Sequence, residues 1–159
     1  MAEGGTGSVR AVSSVPPIAR WLGLAGLLPQ LAVVSVLLTR EPQVYFTALS
    51  LGYAYAALIL SFLGGMWWGL AAQASRPVPG WVWFAAVAPS LVALASAIPW
   101  ATGHEWPRPS LGWIGLSLLL SLAVDLALRR EGLAPVWWMA LRLPLSLGLG
   151  LLTIVAACL

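Results

Sequence analysis

Charge is what this chain has least of. Of its 159 residues, 8% are Asp, Glu, Lys or Arg, while 60% are hydrophobic. Soluble domains carry about 25% charged residues, so there are too few charges here to cover a water-facing surface. That excludes a soluble enzyme, a nucleic-acid binder and a solvated disordered chain, and it leaves an integral membrane protein. Lysine is absent, so the net charge of +3 rests on eight arginines. Cysteine and histidine occur once each, at Cys158 and His104. A single thiol makes no internal disulfide, and one His beside Glu105 assembles neither a metal site nor a Ser–His centre. No metal or cofactor is expected.

Long apolar runs are present instead. A helix rises about 1.5 Å per residue, so about 20 apolar residues cross a hydrocarbon core of about 30 Å. Five segments have that length, at about 18–38, 45–73, 81–100, 111–128 and 137–158. The first closes at Thr39-Arg40-Glu41-Pro42, the third follows Arg76-Pro77-Val78-Pro79-Gly80, and the fourth stops at Arg129-Arg130-Glu131-Gly132. The second exceeds the need and is expected to tilt or to begin in the interface. Short connections predict antiparallel neighbours in one all-α, five-helix membrane domain over 18–159. Residues 1–17 are small and polar with no apolar period, and are expected to form a disordered tail. The run after them is longer than a signal-peptide core and ends in no small-residue cleavage site.

Basic residues favour the cytoplasmic side of a membrane. Arg10, Arg20, Arg76, Arg129 and Arg130 lie at the N-terminal end of the bundle, and Arg142, near the start of the fifth span, is expected to snorkel to it. Arg40 and Arg108 lie opposite, which predicts the N-terminus inside and the C-terminus outside. Trp21, Trp67, Trp68, Trp81, Trp83, Trp137 and Trp138 would form an interfacial belt at the arginine-rich end, with Trp100, Trp106 and Trp113 at the other.

Asp125 and Arg142 are the ionisable residues inside spans, and they fall about 4.5 and 7.5 Å from the ends of adjacent helices. An intramembrane charge costs roughly 2.5–3.5 kcal/mol on insertion scales, so the two are expected to pair. The pair is either a clamp on the hairpin or a site for a headgroup, a proton or an anionic ligand. Arg129, four residues after Asp125, is also spaced for a local pair. Ser61, Gly65 and Gly69 recur every four residues beside Gly64, a small-residue face suited to helix packing within the chain or in a homodimer. Trp21, Trp68 and Trp138 are candidate walls of a ligand cleft. Pro29, Pro89 and Pro144 are expected kinks that free the carbonyls of Ala25, Ala85 and Ala140. Those carbonyls need partners in lipid, and Gln30, Ser61, Ser90, Ser117, Ser121 and Ser146 are the candidates.

Several of these segments together resemble a known family. They are Leu22-Gly23-Leu24-Ala25-Gly26-Leu27-Leu28-Pro29, Leu60-Ser61-Phe62-Leu63-Gly64-Gly65 with Trp68-Gly69-Leu70-Ala71, Ala88-Pro89-Ser90-Leu91, Asp125, and Trp137-Trp138 with Leu141-Arg142. Over roughly 16–158 the chain resembles the domain-of-unknown-function 3429 family of transmembrane protein 69-like and proteobacterial membrane proteins. The resemblance implies a bacterial inner-membrane protein, or alternatively a mitochondrial inner-membrane one, and supplies no reaction. The expected role is non-enzymatic, as a packing or assembly partner of other membrane proteins, including a second copy, within the lipid bilayer and without nucleic acid. The alternative is a binder or transporter of a small hydrophobic or anionic ligand at a Trp-rich cytoplasmic-side cleft. For catalysis, Asp125 is the only acid within a span and His104 lies at the opposite end, so neither paired carboxylates nor a Ser–His arrangement is at hand.

Overall fold

A computed structural model describes residues 14–104 and 107–159 of the chain. The described residues form α1 (Pro17–Ala25), α2 (Leu28–Leu38), α3 (Pro42–Ala72), α4 (Gly80–Ala101), α5 (Arg108–Arg130) and α6 (Trp138–Cys158). Among the described residues, five helical stretches are long and apolar enough to cross a membrane: α1 with α2 as Pro17–Leu38, and then α3, α4, α5 and α6. The predicted all-helical, five-span architecture is therefore present, with its first span in two pieces. The expected disordered tail over 1–17 falls mostly outside the described residues, as do Arg10, Glu105 and Trp106.

Pro29 interrupts the helical bonding of the first span, and Gly26 and Leu27 before it keep right-handed helical dihedrals in a tighter turn. The proline sits in the first turn of α2, where a missing N–H costs α2 no helical bond. The Gly26 carbonyl there accepts the Tyr55 hydroxyl from α3, a partner absent from the predicted set of Gln30 and serines. Both side-chain amide atoms of Gln30 are buried without a hydrogen-bond partner among the described residues. Pro89 and Pro144 do lie inside α4 and α6.

The central helix is α3, which packs against α2, α4, α5 and α6. Its buried positions include Ala48, Gly52, Ala56, Leu60, Gly64, Trp67 and Ala71, the three-to-four spacing that keeps one stripe turned inward. The most extensive pairing joins α5 to α6. A Cβ added to Gly115 would stand 3.0 Å from the Gly150 carbonyl oxygen, and one on Gly150 would stand 3.1 Å from that of Gly115. The two backbones thus meet where neither has a side chain. Loop contacts show which ends lie together. Arg76, before α4, is 4.0 Å from Glu131, after α5, and Arg108, opening α5, donates to the Tyr45 hydroxyl near the start of α3 at 2.6 Å. One end gathers Arg76, Arg129 and Arg130; Arg40 and Arg108 line a hollow at the other.

Three expectations are corrected by this packing. Arg142 does not snorkel, being 5% exposed and turned into the core. Trp67 and Trp138 are buried rather than interfacial, whereas Trp21, Trp68, Trp81, Trp100 and Trp113 are exposed. The small-residue contact of α3 runs through Gly64, whose added Cβ would lie 2.3 Å from the Ala86 carbonyl oxygen of α4. Among the described residues no neighbouring atom lies within 4 Å of that position at Gly65 or Gly69, and Ser61 is half-buried. The helix phase set by Leu60, Gly64 and Trp67 turns Gly65 and Gly69 outward. Substituting Gly64→Ala should force α3 off α4 and lower stability by about 1–3 kcal/mol, while Gly65→Ala should leave it within about 0.5 kcal/mol. Thermal unfolding of the two variants in one detergent checks the contrast.

Candidate functional site

Asp125 reaches the core by the same periodicity that buries its apolar neighbours. Leu111, Ile114, Leu118, Ser121, Asp125 and Leu128 form the inner stripe of α5, and Trp138, Arg142, Ser146 and Leu149 lie on that of α6. The antiparallel hairpin sets the two stripes face to face. Arg142 donates from Nε to Asp125 Oδ2 at 2.7 Å, an ion pair whose side chains are 6% and 0% exposed. The other carboxylate oxygen, Oδ1, accepts two indole N–H groups, from Trp67 at 2.9 Å and Trp138 at 2.8 Å. Arg142 Nη2 also donates to Ser121 Oγ at 3.3 Å, and that hydroxyl donates to the Leu118 carbonyl at 2.6 Å. Arg129, the local alternative, is exposed.

This network balances a cost that apolar packing cannot. A charge moved from water into a low-dielectric interior is expensive unless paired and hydrogen-bonded, and here both oxygens have donors. A pair of this kind adds little net stability relative to an apolar core, yet removing one member costs about 3–5 kcal/mol. Its donors come from α3 and α6 and its acceptor from α5, so it is satisfied only when three helices are in register.

Beside the network lies a cleft of about 400 Å³ between α1, α3 and α6. Leu22, Gly23 and Leu27 form one wall, Tyr55, Ile59, Phe62 and Met66 a second, and Trp138, Leu141, Arg142, Leu145 and Ser146 a third. Two polar groups there are incompletely engaged. A guanidinium has several N–H donors, and the bonds to Asp125 and Ser121 occupy only two of them on Arg142. Ser146 is 2% exposed, and its hydroxyl has no hydrogen-bond partner among the described residues.

Of the three aromatics proposed for a cleft, Trp138 lines this one. Trp21 lies off it, on the outer side of α1 with Arg20 and Pro17. Trp68 packs edge-on against Trp83 of α4 at 4.9 Å, because one residue turns a helix by about 100° and Trp67 takes the inward position. Sequence reasoning missed Trp67 as a donor to Asp125 and Tyr55 as a wall; the spacing of Trp67 from Leu60 and Gly64 was the available signal for the first. Among the described residues no group of three His, Cys, Asp or Glu side chains comes together to hold a metal.

A family model described as "Protein of unknown function (DUF3429)" matches residues 15–158, which takes in every helix and the whole Asp125 network. The chain belongs to this family. Transmembrane protein 69 of Xenopus tropicalis is 38% identical over 78 residues, covering 46% of this chain and 29% of that protein. The match thus spans less than a third of that relative's length. No solved structure matches. Within this DUF3429 protein, the two indoles give the site a direct check. Trp67→Phe and Trp138→Phe should each remove one bond to a charged acceptor and cost about 1.5–3 kcal/mol. Trp68→Phe, outside the network, should cost less than about 0.5 kcal/mol, with unfolding in mixed micelles as the readout.

Proposed function

We propose that this DUF3429 protein is a non-enzymatic, multi-pass inner-membrane protein that holds a small amphiphilic molecule between α1, α3 and α6. The observation that carries this reading is the unpartnered, buried hydroxyl of Ser146 on a cleft of ligand size, one helical turn from Arg142. Buried polar groups in folded proteins normally have partners. A hydroxyl without one, beside a largely apolar space with few polar groups, is accounted for by a partner that arrives with the ligand. The non-enzymatic part of the reading rests on Asp125. Its two oxygens accept three N–H groups, so the carboxylate is engaged in holding helices rather than available as a base. Arg20, Arg76, Arg129 and Arg130 against Arg40 and Arg108 support placing the N-terminus inside, which sets the cleft in the inner half of a bacterial or mitochondrial inner membrane.

A second reading, packing against or assembling other membrane proteins, is supported by Gly65 and Gly69. A Cβ at either position meets no atom of the described residues within 4 Å, which supports leaving both positions to another helix. Filling the cleft separates the two readings. Leu22 lines the cleft yet is 66% exposed, so Leu22→Trp should fold normally. Mass spectrometry of protein extracted in mild detergent should find a small amphiphile that co-purifies with the wild type and is absent from Leu22→Trp. Equal amounts in both, or none in either, would overturn ligand binding. A larger native complex that dissociates in Gly69→Leu would then favour assembly.

A further inference from the structure

We infer that the cleft selects an uncharged amphiphile whose polar end is a carbonyl oxygen, as in a quinone or a glycerolipid ester, in preference to an anion. This rests on the cleft-binding reading and adds the chemical class of the ligand. The first support is the balance of donors and acceptors. Four polar side chains lie on the cleft wall: Tyr55, Trp138, Arg142 and Ser146. The Trp138 N–H is engaged by Asp125 and the Tyr55 hydroxyl donates to the Gly26 carbonyl. What remains are N–H groups of Arg142, the hydroxyl of Ser146 and the acceptor lone pairs of the Tyr55 oxygen, and among the described residues no carboxylate lies on the wall. Arg142 offers donors only and the Ser146 hydroxyl can donate beside it, so a ligand that brings an acceptor engages both.

Charge then decides which acceptor. Arg142 is the single charged residue lining the cleft, and Asp125 already answers it at 2.7 Å. Arg20, Arg129 and Arg130 are exposed and do not line it. A carboxylate or phosphate head would therefore leave a net negative charge at a nearly dry site, the expensive case in a low-dielectric interior. A carbonyl accepts the same hydrogen bonds and adds no charge. The rings of Tyr55, Phe62 and Trp138 give a flat head surfaces to lie against. About 400 Å³ holds such a head and the first carbons of a tail. Leu22 and Phe62, both more than 60% exposed, border the way out to the bilayer.

The test uses the full-length protein in detergent with four probes: a short-tailed benzoquinone, dioctanoylglycerol, decanoate and decyl phosphate. Binding is read by ligand-induced rise in melting temperature and by native mass spectrometry. At least one neutral carbonyl probe should bind about tenfold or more tighter than either anion. A tighter quinone identifies the conjugated head as the recognised group, and a tighter glycerolipid identifies the ester. Ser146→Ala should weaken the preferred probe by about three- to tenfold without lowering the melting temperature of the unliganded protein, since the hydroxyl has no protein bond to lose. Anions that bind as tightly as the neutral probes, and only when the cleft is not filled by Leu22→Trp, would overturn the carbonyl preference and leave the cleft reading standing. No binding by any probe, or binding unchanged in Leu22→Trp, would overturn both.

Discussion

A carboxylate with no exposed surface inside a membrane-crossing helix has to be met by donors, and here α3 and α6 supply them. Asp125 accepts from Trp67, Trp138 and Arg142, and Arg142 reaches on to Ser121. Much of the bundle's arrangement follows from that requirement. The α5–α6 hairpin must hold Asp125 and Arg142 at one depth, and α3 must turn Trp67 inward, which sends Trp68 to α4 and leaves Gly65 and Gly69 on the outside. The pair is neutral as a unit, so the site keeps hydrogen-bond donors on its cleft side without an unanswered charge. That residue of chemistry is what distinguishes the cleft from an ordinary groove between helices.

Close backbone approach also joins the helices. Gly115 and Gly150 let the α5 and α6 backbones meet about two to three turns along the hairpin from Asp125 and Arg142. Gly64 does the same for α3 and α4, where a side chain would run into the Ala86 carbonyl. In lipid, packing and polar contacts of this kind stand in for the hydrophobic drive that water supplies. The cleft arises where this close packing stops. The first span turns at Gly26-Leu27, and α1, the segment before that turn, buries none of its residues. It forms one wall of a space that the other helices do not fill.

The spans were legible in the sequence because length and apolarity alone define them. Asp125 and Arg142 stood out because ionisable residues are rare in such runs, and the structure sets them 2.7 Å apart. The destination of Arg142 was harder to foresee. Snorkelling and pairing are both open to an arginine near a helix end, and the inward phase of α6 decides between them. Phase also hid the roles of the tryptophans and glycines. Trp67 and Trp68, or Gly64 and Gly65, are adjacent in sequence and differ only in which face of α3 meets its neighbours, a property of the assembled bundle. Tyr55 carries no signal in the sequence, because its partner is the Gly26 carbonyl, one residue beyond the Ala25 carbonyl that Pro29 frees.

The central claim is that Asp125 and Arg142 act as one unit holding α3, α5 and α6 together at the arginine-rich end of the bundle. A double-mutant cycle of Asp125→Leu, Arg142→Leu and the combined variant, followed by reversible unfolding in mixed micelles, tests it most directly. Each single change should cost about 3–5 kcal/mol, because it leaves one buried charge unanswered, and the combined variant should cost less than the two together. Costs that simply add would contradict the account.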